Sequence, residues 1–115
     1  MSVTRGDADV RAALFGGTGS VQVWDLLGPR AAPPFSAVLS CELEPGGSVG
    51  LHQQQRDPEL VLGLEGRGEA TVAGAAEALT PGAVVFVPFG ATLSLRNLSA
   101  DQPLRYLIIK AEVAT

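Results

Sequence analysis

The chain has 115 residues, 46% of them hydrophobic, with a mean hydropathy of +0.25: enough for one domain with its own core, and too apolar for disorder. A net charge of −4 and a pI near 4.8 leave no electrostatic footprint for nucleic acid or an anionic membrane, since Lys110 is the sole lysine and the arginines are scattered. Cys41 is the only cysteine, which excludes an intramolecular disulfide and fits a reducing cytoplasm; no leader-like pattern follows Met1, and no apolar run is long enough to span a bilayer as a helix.

Residues 1–20 mix charges with a short apolar patch at 12–15 and read as a partly irregular N-terminal extension. Asp7 is placed to cap a brief helical turn, which Gly16 and Gly17 would stop. Residues 21–27 (VQVWDLL) predict a strand closed by Gly28-Pro29, and 31–34 a loop, because consecutive prolines donate no ladder hydrogen bonds. Residues 35–43 alternate: Phe35, Ala37, Leu39, Cys41 and Leu43 share one face and Ser36, Val38, Ser40 and Glu42 the other. Pro45-Gly46-Gly47 turns the chain into a strand over 49–55. Asp57-Pro58 interrupts, and Glu59 opens a strand that ends in the hairpin signal Gly66-Arg67-Gly68. The chain returns over 69–72, and 73–76 reads as a loose turn. Thr80-Pro81-Gly82 leads into 84–87, then 92–98, and a turn at 99–103 precedes the last strand, 104–113. Fourteen glycines and eight prolines give a turn every eight to twelve residues. That punctuation predicts an all-β barrel or sandwich of nine or ten short strands over 21–115.

Two stretches share one design. The first runs Gly46, five residues, His52-Gln53-Gln54, four residues, Glu59, six residues, Gly66. The second runs Gly82, five residues, Pro88-Phe89-Gly90, two residues, Leu93, three residues, Asn97. Together, in this order and with a hairpin signal between them, they resemble the paired signatures of the cupin superfamily over about 35–109. The resemblance implies a single-domain double-stranded β-helix, a jelly-roll barrel that often holds a divalent metal, and in proteins of this size commonly a homodimer. Carried over residue by residue, His52 matches the first histidine ligand and Glu59 the acidic one. Gln54 and Leu93 stand where the other two histidines would be.

His52 and Gln54, two apart on a strand, leave the same face, and a hairpin return would bring Glu59 beside them. Two readings stay open. In one, His52, Gln54 and Glu59 bind a divalent cation weakly: Gln54 offers only a neutral carbonyl oxygen, Leu93 offers nothing, and no second histidine exists. In the other the cluster is a hydrogen-bonded polar patch in a cavity whose floor, Leu93, suits an organic ligand. Phe86 and Tyr106 join these four as candidate ligand-binding residues, lining or packing the cavity. Cys41 reads as an inert buried thiol, Gln53 and Gln55 as rim, Arg67 as a solvated turn, and Gly66, Gly82 and Gly90 as backbone requirements. Pro88 and Asn97 carry no predicted chemistry.

The sequence therefore predicts a small-molecule-binding barrel of unassigned ligand. The alternative is a metal-dependent enzyme (dioxygenase, isomerase or decarboxylase) acting on a small polar metabolite; whether any chemistry occurs stays open. A metal-free sugar-nucleotide epimerase lacks its cationic surface for a diphosphate. A homodimer is expected as well, because Trp24 and Leu26 oppose Val21, Val23 and Leu27, and Leu107 and Ile109 oppose Leu104, Tyr106 and Ile108. Apolar residues on both faces need a cover on both.

Overall fold

A computed structural model of the chain describes residues 7–54 and 56–113. Among them ten strands run in chain order: β1 Asp9–Ala12, β2 Ser20–Asp25, β3 Phe35–Leu43, β4 Ser48–Gln53, β5 Glu59–Glu65, β6 Gly68–Val72, β7 Ala75–Leu79, β8 Val84–Val87, β9 Thr92–Asn97 and β10 Leu104–Ala111. They build a six-stranded sheet, β1-β2-β3-β10-β5-β8, and a four-stranded sheet, β4-β9-β6-β7, antiparallel throughout. The strand punctuation predicts the all-β class, and the resemblance implies the double-stranded β-helix that these two sheets form.

Three local readings change. Residues 9–12 of the expected irregular extension form β1, paired with β2 from Asp9↔Val23 to Ala12↔Ser20. The short helical piece lies later, a 3-10 turn at Leu14–Gly16. The loose turn at 73–76 is a tight two-residue hairpin: Ala73 (φ 49°) and Gly74 (φ 85°) both take the left-handed conformation, and Ala75 already belongs to β7. The expected hairpin return that carries Glu59 to His52 does not occur. β4 and β5 lie in different sheets, so the two residues approach from opposite walls.

Period-two alternation sets the inner faces. Across the large sheet, register aligns Val23, Cys41, Tyr106 and Gly63 in one row and Leu39, Ile108, Val61 and Val85 in the next; Ala37, Lys110, Glu59 and Val87 follow. The small sheet contributes Val49, Leu93, Leu95, Ala70, Val72 and Leu79. Leu43, Leu79, Leu93 and Leu104 are fully buried, each contributing about 1.5–3 kcal/mol relative to an exposed side chain. Gly66, at φ 91°, shows why the hairpin needs a glycine: a Cβ there would lie 2.4 Å from the Pro103 carbonyl oxygen.

Asn97 fastens one end of the barrel. Its side-chain amide donates to the carbonyls of Leu43 (3.2 Å), Glu44 (3.1 Å) and Gln102 (2.9 Å), while Oδ1 accepts from the Ser99 N–H at 2.9 Å.

The outer faces of the two sheets differ. The small sheet is polar outside, with Arg96 on Glu69. The large sheet presents two apolar rows, Val38-Ile109-Leu60-Phe86 and Leu107-Leu62-Val84, of which Phe86 and Val84 are more than half exposed. Trp24 is already buried within the single chain, so the uncovered face lies over β10, β5 and β8 rather than over β2.

Candidate functional site

A cavity of about 580 Å³ lies between the two inner faces, walled by Val21, Val23, Leu39, Val49, Leu95 and Ile108. His52, Gln54, Glu59, Leu93 and Tyr106 all line it. Phe86 does not: it sits on the outer face of β8, 57% exposed, because Val85 and Val87 take the inward positions of that strand. Leu93, expected as the cavity floor, is the cross-strand partner of His52 on β9.

His52 reaches the cavity through a β-bulge. Val49 pairs with Leu95 and His52 with Leu93, so β4 spends one residue more than β9 over this span. The irregularity turns both Val49 and His52 inward and Leu51 out to solvent, 66% exposed. The imidazole Nδ1 hydrogen-bonds the Gly50 carbonyl at 2.9 Å. A carbonyl only accepts, so Nδ1 carries the proton and Nε2 keeps the lone pair of the neutral ring. Phe15 stacks on the other side, with centroids 4.0 Å apart and planes within 13°. That seat exists because residue 50 is glycine: a Cβ would lie 1.9 Å from the Phe15 carbonyl oxygen. Burial lowers the His52 pKa below 6.5, the Gly50 bond opposes that shift, and Lys110 adds to it.

Gln54 and Glu59 connect the two sheets. Gln54 lies just past β4, fixed by backbone bonds to Ala91 and Gly90, and its Nε2 donates to Oε1 of Glu59 at the start of β5. Oε2 of Glu59 is buried without a partner among the described residues. Burial raises the Glu59 pKa, which Lys110 and Gln54 oppose. Beside this pair, Cys41 and Tyr106 are buried cross-strand neighbours. Burial pushes the thiol to about 12, so it is neither thiolate nor nucleophile near neutral pH, as the reading of an inert thiol expects.

Several lining residues escaped the sequence reading, Arg56 and Asp57 just before β5 among them. Lys110 pairs with Glu59 in the β10–β5 register, its side chain on the inward face. The alternation Leu104, Tyr106, Ile108, Lys110 was the signal for it. Arg11, Leu14 and Phe15 also line the cavity, from the segment expected to be an extension; nothing in their local pattern places them there. Gln53 is exposed and donates to the Gly90 carbonyl, while Gln55 lies outside the described residues.

Two antiparallel sheets closed around a cavity lined by side chains define a small single-barrel double-stranded β-helix protein. Residues 39–110 match the Cupin domain family, and the chain belongs to it. It is similar to a predicted oxalate decarboxylase of known structure from Thermotoga maritima, with 26% identity and a TM-score of 0.87 over 98% of this chain and 100% of that one. A Cupin 2 conserved barrel protein from Salinispora arenicola is similar at 20% identity and a TM-score of 0.75, covering 98% of this chain and 87% of its own. KdgF from Halomonas sp. matches at 18% identity and a TM-score of 0.66, over 91% of this chain and 87% of that one, a likeness of fold alone. No curated protein sequence matches.

The family often binds a metal, and the residues here do not fit one. Among the described residues no three His, Cys, Asp or Glu side chains are grouped to hold an ion. Gln54 and Glu59 are engaged with each other and Leu93 offers no donor atom, which leaves Nε2 of His52 as a lone imidazole donor. Lys110, beside Glu59, adds a fixed positive charge to the same wall, which opposes a cation. No step through a metal follows from this arrangement.

Proposed function

We propose that the protein binds a small organic molecule in the barrel cavity, and that His52, Gln54, Glu59, Leu93 and Tyr106 are part of its contact surface. The observation that carries this reading is a concentration of chemistry. The single His, Cys, Tyr and Lys of the chain all line this one cavity, with Gln54 and Glu59, against the apolar walls of Val21, Val23, Leu39, Val49, Leu95 and Ile108. A volume of about 580 Å³ falls in the usual range for small-molecule sites. A barrel maintained only for stability would fill such a space with hydrocarbon, because buried polar groups cost more than they return unless they are paired.

The test is a fragment screen followed by amide chemical shifts. Fragments that bind should perturb Leu93, Leu95 and Tyr106, and Leu95→Trp, which fills the cavity, should abolish those shifts. Shifts confined to the outer faces, or none from any fragment class, would contradict the proposal.

The same reading includes a homodimer formed through the outer face of the large sheet. The apolar rows on β10, β5 and β8 are rimmed by Arg105 with Glu65 (3.0 Å) and Glu42 (3.7 Å), so the patch carries both signs at its border and is complementary to itself. Exchange of β2 between protomers is disfavoured, since β2 is hydrogen-bonded on both sides within one chain.

A further inference from the structure

We infer that the ligand is a small organic anion, a carboxylate with a hydrocarbon body, whose charged end lies against Lys110. The inference rests on the cavity reading above and adds the ligand class. Lys110 is the only lysine of the chain, and it occupies an inward position of β10, between Ala37 and Glu59 in the register. Among the described residues its ammonium has no ion pair within 4.0 Å. The adjacent acid is a poor counter-ion, because Glu59 is buried and already takes a hydrogen bond from Gln54. An inward ammonium with no ion pair, beside a carboxyl group already held by Gln54, leaves a position for an added anion.

The other lining charges are close to balanced, so Lys110 stands out among them. Arg11 and Arg56 reach the cavity alongside Lys110, and the acids are Asp57 and Glu59. Asp57 accepts from the Ser36 hydroxyl at 2.6 Å. Arg11 is ion-paired with Asp9 at 2.9 Å, which leaves Lys110 as the inward-facing cation of the lining with no ion pair among the described residues. The field of Lys110 also extends over Glu59, Cys41 and His52, so it reaches well beyond its own side chain. Val23, Leu39, Leu95 and Ile108 supply the hydrocarbon walls. A charged end met by an ammonium in a partly desolvated site gains far more than at an exposed surface.

The probes are hexanoate, hexylammonium and neutral hexanamide, titrated into wild-type protein and the Lys110→Met and Lys110→Arg variants and followed by amide shifts and calorimetry. Hexanoate should bind in the cavity and hexylammonium should not. Lys110→Met should weaken hexanoate at least tenfold and hexanamide far less, while Lys110→Arg should retain hexanoate binding. Preference for hexylammonium, or hexanoate binding indifferent to Lys110→Met, overturns the inference. If hexanamide fills the cavity as tightly as hexanoate, the anion assignment falls and the cavity reading stands. If none of the three enters and the fragment screen is also negative, the cavity reading itself falls. Should Lys110→Met not fold, a lack of preference for hexanoate over hexanamide in the wild-type protein still overturns the inference.

Discussion

His52 and Glu59 titrate in opposite senses, and both shifts begin with burial. The folded state lowers the His52 pKa below 6.5, so its contribution to stability is present above that pH and is lost as pH falls through the folded value. Glu59 is raised above 4.5, so its contribution is complete below that pH and is lost as pH rises through the folded value. Glu59→Gln should therefore flatten the decline in melting temperature on the alkaline side of pH 4.5; an unchanged pH profile would count against a desolvated carboxyl. Because the chain has one histidine, a single imidazole proton signal reports its titration without assignment. Phe15→Ala removes the ring that shields His52, and the imidazole pKa should rise toward 6.5. If it does not move, something other than Phe15 causes the shift.

At the level of strands, much of the architecture was legible because the period of two is strict. The faces of β3 and of Leu104, Tyr106 and Ile108 follow directly from alternation. The inward turn of His52 does not follow from simple alternation with Val49. It depends on a bulge, and a bulge is set by the partner strand β9, which local pattern does not contain. Phe86 was misplaced for a related reason. In a strand of four apolar residues (VVFV) both faces read as core, and only the sheet decides which one faces outward. Lys110 was legible in the alternation of β10 but carried no pattern of its own. Asn97 fell at a motif position with no role attached; its four hydrogen bonds now explain it. Asn97→Ala should cost roughly 2–4 kcal/mol in denaturant unfolding, through buried carbonyls left without a donor. A loss under about 0.5 kcal/mol would mean that water replaces the amide.

For the molecule as a whole, the two sheets divide the work. The inner faces enclose a cavity with an ammonium, an imidazole, a carboxyl, a thiol and a phenol, and the outer face of the large sheet carries the apolar rows that the proposed dimer would cover. Sedimentation or light scattering should give close to twice 11.8 kDa at micromolar concentration, and Phe86→Asp should return the monomer mass without unfolding the barrel. A wild-type mass near 11.8 kDa would refute the dimer and leave the cavity untouched. The cavity is tested most directly by a crystal structure of the protein soaked with hexanoate. The account predicts a hydrocarbon chain among Val23, Leu39 and Ile108, with the carboxylate within hydrogen-bond distance of Lys110 Nζ. An empty cavity at saturating hexanoate, or a carboxylate turned away from Lys110, would contradict it.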